Sequence, residues 1–223
     1  GDKVKSIIDY LDLTHTIASS LFEGKKYAWE VLPDIGDFIL EIGPTLSEDE
    51  YYSPCENVWI AKTATIYESA YISGPAIIGP ETEVRHCAFL RGKTLVGAGC
   101  VVGNSTELKN VILFDKVQVP HYNYIGDSIL GYKAHFGAGA ITSNVKSDKE
   151  NTVVKTCTGE LIETVMKKFG AIVGDNVEVG CGTILNPASV VGRNTRIYPL
   201  SMIRGEIPEN SIYKNSGEIT SIQ

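Results

Sequence analysis

The chain has 223 residues, enough for one substantial domain and a small additional element, with 43% hydrophobic residues and a net charge of −7. Its 20 basic residues are scattered, where a nucleic-acid groove wants a basic face, and no long run of like charge marks an acidic tail. No apolar stretch approaches the ~20 residues of a bilayer span, and the opening GDKVKSIIDYLDL is interrupted by Asp9 and Asp12, which makes a poor secretory signal. The cysteines, Cys55, Cys87, Cys100, Cys157 and Cys181, are odd in number and contain no CxxC pair. Free thiols in a reducing, cytoplasmic setting are expected, with no disulfide frame and no structural zinc.

Residues 1–50 have helical spacing. Val4, Ile7, Ile8 and Leu11 recur at three and four, as do Ile35, Phe38, Ile39 and Ile42, and Gly43-Pro44 is a stop signal. These helices are predicted to pack over the first coil of a repetitive region beginning at residue 51 and to cap it; contact with another subunit is the alternative.

From residue 51 to 215 a different period rules. Ile60, Ile66, Ile72, Ile78, Val84, Leu90, Val96, Val102 and Leu108 are spaced by six without exception. Two residues before each, from Ile66 onward, stands a small one: Ala64, Ala70, Ala76, Thr82, Ala88, Thr94, Cys100 and Thr106. Six is neither the three-and-four of a helix nor plain alternation; it is a short strand plus a tight corner. Three such steps close a triangular coil, and coils stack at the inter-strand spacing of about 4.8 Å, burying the aliphatics only against one another. The predicted fold is all-β, a single-stranded parallel β-helix of about seven coils. The pattern resumes at Val173, Val179, Leu185, Val191, Ile197 and Ile203.

Between these runs the beat slips. The series Leu108, Leu113, Val119, Ile125, Leu130, Phe136, Thr142 needs two five-residue steps, and it preserves the Ile125-Gly126, Leu130-Gly131 and Phe136-Gly137 pairs. His121, one of four histidines, lies between the slips. From 143 to 170 the pattern stops. A polar loop and two short strands around Thr158-Gly159 are expected to protrude as a hairpin. Residues 216–223 read as a tail.

The segment LRGKTLVGAGCVVGNSTELKNVILFDKVQVPHYNYIGDSILGYKAHFGAGAITSN, residues 90–144, resembles the acetyltransferase half of the bacterial bifunctional N-acetylglucosamine-1-phosphate uridyltransferases. The elements H-x-x-Y-[LI]-G-D and G-A-G-x-I-T-x-N carry the resemblance, which continues more weakly through GDNVEVGCGTILNPASVVG. It implies a left-handed coil built from hexapeptide repeats, a homotrimer, and acetyl transfer from acetyl-CoA to the amine of an amino sugar such as glucosamine-1-phosphate. That chemistry needs a base, oxyanion donors and cations for the sugar phosphate; it requires no metal. By the resemblance His121 is the base, and an imidazole, with a reference pKa of about 6.5, suits the task. Asp127, in the same rung step, would orient it. Arg91, Lys109, Tyr124 and His135 fall at substrate-binding positions, with Lys146 a further cation for the acceptor. Ala138, Asn144, Cys181 and Pro199 fall along the path of coenzyme A. A backbone N–H within 137–139 would hold the oxyanion.

The sequence also departs from that pattern. Asn-Tyr-Asp-Gly is replaced by Asn144-Val145-Lys146-Ser147, His135 stands where the family has a sugar-contacting Asn, and the 143–170 insertion has no counterpart. No G-x-G-T-[RK] nucleotide loop occurs, so pyrophosphorylase activity is not expected of these residues. Two other readings use the same architecture. One is a scaffold or sugar-nucleotide-binding coil without turnover. The other is a zinc carbonic anhydrase, for which His86, His121 and His135 suffice in number, while their spacings of 35 and 14 lack the paired histidines of that class.

Overall fold

The computed structural model describes residues 5–223 and bears out the triangular coil. It is the left-handed parallel β-helix of the hexapeptide type. Its first face stacks Val58–Ala61, Ala76–Ile78, Thr94–Val96, the second halves of Glu107–Leu113 and Tyr124–Leu130, then Ala171–Val173, Ser189–Val191 and Glu206–Ile207. That is one rung more than the sequence suggested. The second face runs from Thr65–Ile66 through Glu83–Val84, Val101–Asn104, Gln118–His121, His135–Phe136, Glu178–Val179 and Arg196–Ile197 to Ser211–Tyr213. The third runs from Tyr71–Ile72 through Phe89–Leu90, the first halves of Glu107–Leu113 and Tyr124–Leu130, Ile141–Thr142 and Ile184–Leu185 to Met202–Ile203.

The six-residue aliphatics fill the axis. Leu90, Val102, Leu108, Leu113, Val119, Ile125, Leu130 and Phe136 are fully buried, so the slipped series is the one the coil uses. The small residues sit at the corners for a polar reason as well as a steric one. Thr82 Oγ1 donates to Gly97 O at 2.7 Å, Thr106 Oγ1 to Val119 O at 2.9 Å and Thr195 Oγ1 to Pro208 O at 2.7 Å, satisfying carbonyls that the bend takes out of the ladder.

Two expectations are corrected. Residues 5–50 do not cap the first coil; they run along the first face from its late rungs to its first. Asp175 N donates to Tyr10 O, Asp115 N to His15 O and Asn110 Nδ2 to Leu32 O, and the helix Ile35–Ile42 lies over Thr94–Val96 and Glu107–Leu113. Trp59 presses so closely on Gly43 that a Cβ there would stand 2.4 Å from the ring. Val4 lies outside the described residues, and the first helix is the single turn Ile7–Tyr10. The cause is the middle residue of each first-face strand. Ile77, Leu95, Ile112, Ile129, Ile172 and Val190 point away from the axis, are apolar, and are buried by this segment. The coil ends are closed instead by strands turned back on themselves, Tyr51–Cys55 on Val58–Ala61 and Ile219–Ser221 on Ser211–Tyr213. The last of these lies within the expected tail; an open coil end is an unpaired sheet edge, and this pairing covers it.

The insertion forms the predicted hairpin, Val153–Lys155 against Leu161–Glu163, with Gly159 in the left-handed region at the turn. Its tip is exposed, but its root is packed: Thr152, Val154 and Phe169 are buried.

Ile112→Ala is expected to cost about 3 kcal/mol in urea unfolding, because it opens a cavity between coil and N-terminal segment. Gln118→Ala, on the exposed second face, should stay within about 0.5 kcal/mol. Equal effects would mean the N-terminal segment contributes little to packing.

Candidate functional site

The coil sorts the singled-out residues into columns, because each corner repeats once per turn. At the corner between the second and third faces, His86, Asn104, His121, Ala138, Cys181 and Pro199 stand one above another. His121 pairs with Asn104, Gly139 N donates to His121 O, Gly182 N to Ala138 O and Leu200 N to Cys181 O. The expected base and three of the four expected coenzyme residues therefore share one edge of the prism. His121 is exposed; its backbone N–H donates to Asn123 Oδ1 at 3.1 Å, and its ring has no hydrogen-bond partner among the described residues. Asn123 is buried and donates in turn to the carbonyls of Gly137 and Ala140, which fixes the turn that presents the imidazole. In the 137–139 stretch, Gly137 N donates to Val179 O and Gly139 N to His121 O, leaving the Ala138 N–H without a protein acceptor among the described residues.

The corner between the third and first faces holds the second group. Here the two five-residue steps occur, and strands Glu107–Leu113 and Tyr124–Leu130 run through the bend without a break. The turn passes through the left-handed region at φ 54° at Asn110 and 48° at Asp127, as it does at Lys93 and Ala188 on the longer rungs of the same corner, and Asn and Asp tolerate this better than most residues. The outcome is a polar cluster centred on the Asp127 carboxylate. Oδ1 accepts from Asn110 Nδ2 at 3.0 Å, Oδ2 from Asn144 Nδ2 at 2.6 Å, and Lys109 Nζ lies 3.0 Å from Oδ2. Asn144 Nδ2 also donates to the Tyr124 hydroxyl at 3.3 Å. Burial, with the Asp127 charge nearby, pushes the Tyr124 hydroxyl above its usual pKa, so it remains a proton donor throughout the neutral range. Arg91 lies lower on the same edge, its guanidinium 3.1 Å from Glu107.

Lys109, Tyr124 and Asn144 thus converge, with Arg91 alongside, whereas His121 lies at the opposite edge of the third face. Five residues, including the turn at Tyr122, separate His121 from Gly126, which pairs with Lys109; that is at most roughly 16 Å at strand rise. Asp127 is held by Lys109, Asn110 and Asn144, not by His121. Asn144 belongs to this cluster and not to the column of Ala138, Cys181 and Pro199. His135 stands on the exposed second face between Gln118 and Glu178, and Lys146 pairs with Asp148 at 3.4 Å beside the insertion. Asn110, Asn123 and Glu107 were not singled out from the sequence. Once the slips shorten the turn, Asn110, Asp127 and Asn144 fall at 17-residue intervals, a ladder of Asx residues that would have marked this corner.

The sequence profile of the GMPPB C-terminal domain family matches residues 72–217. The chain is 32% identical over 216 residues to the bifunctional protein GlmU of Methanococcus maripaludis, covering 96% of this chain and 52% of that protein. It is 29% identical over 174 residues to the uncharacterized acetyltransferase YaiX of Escherichia coli, 70% of this chain and 74% of that one. A hexapeptide transferase family protein from Anaplasma phagocytophilum aligns over 74% of this chain and 80% of its own, at 15% identity and a TM-score of 0.42. The chain spans about half the length of the methanococcal relative.

Proposed function

The chain belongs to the family of the GMPPB C-terminal domain, and within it we propose that this coil is an acyltransferase, moving acetyl from acetyl-CoA to the amine of a phosphorylated or nucleotide-linked amino sugar. The observation that carries this reading is the column at one corner, an exposed imidazole below Ala138, Cys181 and Pro199, beside an Ala138 N–H that has no acceptor among the described residues. In the proposed step His121 accepts a proton from the acceptor amine as its nitrogen attacks the thioester carbonyl. The Ala138 N–H faces the resulting oxyanion. The carbon–sulfur bond then breaks, and the imidazolium returns the proton to the coenzyme thiolate.

The acceptor's phosphate is assigned to the Arg91, Lys109 and Tyr124 edge. Because that edge is about one strand length from His121, the reading calls for a second copy of the chain, whose cationic edge meets the His121 edge of the first. A homotrimer accomplishes this with every edge used. In support, exposed apolar side chains are spread along the third face and its His121 corner, Tyr71 at the first rung, Tyr122 midway, and Leu200 and Met202 at the last. The first face, covered by the N-terminal segment, is not available for such contact.

A second reading, a coil that binds sugar nucleotides without turnover, is favoured by one observation. Lys109 and Arg91 already hold carboxylates, Asp127 and Glu107, which an incoming phosphate must displace or join. Thiol footprinting addresses the coenzyme path directly. Cys181 and Cys55 are both exposed, whereas Cys100 is buried, with burial pushing its thiol up to about 12. Acetyl-CoA is expected to slow iodoacetamide labelling of Cys181 about tenfold or more and to leave Cys55 unchanged, with Cys100 reacting only on unfolding. Unchanged Cys181 labelling at saturating acetyl-CoA removes the coenzyme from this column.

A further inference from the structure

A cavity of 520 Å³ lies where the inserted hairpin meets the corner between the third and first faces, bordered by Ser143 and Asn186 and by three charged side chains, Lys146, Lys155 and Arg204. All three are cationic, in a chain whose net charge is −7. Lys146 has one acidic neighbour, Asp148; neither Lys155 nor Arg204 takes part in an ion pair among the described residues. Like charges converging without counter-charges repel one another, so the arrangement is stabilised by an anion placed between them.

The pocket is built and not a chance of a waving loop. Gly205 adopts φ +68°, and a Cβ there would stand 2.6 Å from the carbonyl oxygen of Lys155, so the hairpin backbone seats directly on the coil. Val154 is 1% exposed and turns into the packed interior; alternation along the strand then sends Lys155 to the opposite side, where it lines the cavity. Arg204 comes from the coil itself. Ser143 N donates to Leu185 O, and Leu185 pairs with Ile203, so Arg204 stands two rungs above the Ser143–Asn144 level, about 10 Å along the axis. The cavity volume lies in the range that holds small molecules and not only an ion.

We propose that this pocket binds the phosphate of a phosphate ester, with Lys155 and Arg204 as its principal ligands and Lys146 released from Asp148 to join them. The insertion thereby gives the coil an anion site of its own, at the same edge as Arg91 and Lys109 but above it. The inference stands apart from acyl transfer, since a coil that only binds nucleotides would use the same pocket. Two ligands carry the required chemistry, the nucleotide end of a sugar nucleotide and the nucleotide end of coenzyme A, and separate probes distinguish them.

The test is calorimetric titration of the full chain with uridine diphosphate, with adenosine 3′,5′-bisphosphate and with inorganic phosphate, at low and physiological salt. One of the two esters is expected to bind more tightly than inorganic phosphate, and salt should weaken it. Lys155→Ala with Arg204→Ala should reduce affinity about tenfold or more, while Lys155→Arg with Arg204→Lys retains most of it, the charge being the determinant. Tighter uridine diphosphate binding assigns the pocket to a sugar nucleotide, and tighter bisphosphate binding to the coenzyme. Both side chains are exposed, so the double alanine variant should keep its circular dichroism spectrum. Failure of both esters to bind, binding of inorganic phosphate alone, or undiminished ester binding by a natively folded double alanine variant overturns the proposal.

Discussion

His121→Ala is expected to lower kcat for acetyl transfer by about 10²- to 10⁴-fold, the usual share of a positioned general base, with little change in KM for either substrate. Thermal unfolding should not move. The ring is exposed and forms no hydrogen bond among the described residues, and the contacts that shape the turn are made by the backbone, from His121 N to Asn123 Oδ1 and from Gly139 N to His121 O. Alanine preserves both. This separation of chemistry from stability gives the variant its value, since a histidine kept for structure would show the opposite pattern. Activity within about twofold of the unsubstituted chain, across acetyl-CoA and a set of amino-sugar phosphates, would leave the imidazole without the proposed role. If the unsubstituted chain itself turns over none of them, the nucleotide-binding reading takes precedence.

Asp127→Ala is the counterpart, a change expected to act on stability first. Lys109 is 24% exposed at its side chain and Asp127 5%, so removal of the carboxylate leaves a half-buried ammonium unpaired and takes one of two acceptors from each of the Asn110 and Asn144 amides, which keep Leu32 O and the Tyr124 hydroxyl. Breaking such a pair from one side costs about 3–5 kcal/mol. Alanine in the left-handed conformation adds about 1 kcal/mol. Asp127→Asn tolerates the backbone and keeps an acceptor for Lys109, so its loss should be about half as large. Adding Lys109→Met to Asp127→Ala should recover part of the loss, because the uncompensated charge is gone. Urea unfolding of the three variants beside the unsubstituted chain gives the comparison, and an Asp127→Ala loss under about 1 kcal/mol would mean that solvent already screens the cluster. In turnover, the same variant is expected to raise KM for the acceptor and not for acetyl-CoA, since Tyr124, Lys109 and Asn144 meet at this carboxylate while the coenzyme column lies at the other edge.

The site was legible in parts, for identifiable reasons. Ala138, Cys181 and Pro199 align with His121 because one turn of the coil returns the chain to the same corner, and that return can be counted along the sequence once the slips are placed. The partnership of Asp127 could not be counted in the same way. Adjacency within a rung suggested His121, but the shortened corner turns Asp127 toward the column of Lys109, Asn110 and Asn144, and side-chain direction at a left-handed residue is not a matter of spacing. His135 shows the same limit: its place in a motif said nothing of its facing outward on the second face. The path of residues 5–50 does have a signal in the sequence. Ile77, Leu95, Ile112, Ile129, Ile172 and Val190 are apolar, whereas the matching second-face positions are mostly polar, Glu83, Gln118, His135, Glu178 and Arg196. A coil face with aliphatics on its outside needs a cover.

What the sequence determined by itself is the coil: a strict period of six, small residues at the corners and two five-residue slips leave one way to bury the aliphatics, because each rung hides its apolar side chains only against the next. What the tertiary structure decided is everything that depends on direction across the prism, namely which face the N-terminal segment covers, which carboxylate holds which cation, and where the hairpin root comes to rest on Gly205. Those outcomes arise from contacts between residues far apart in the chain, and a local period has no power to specify them.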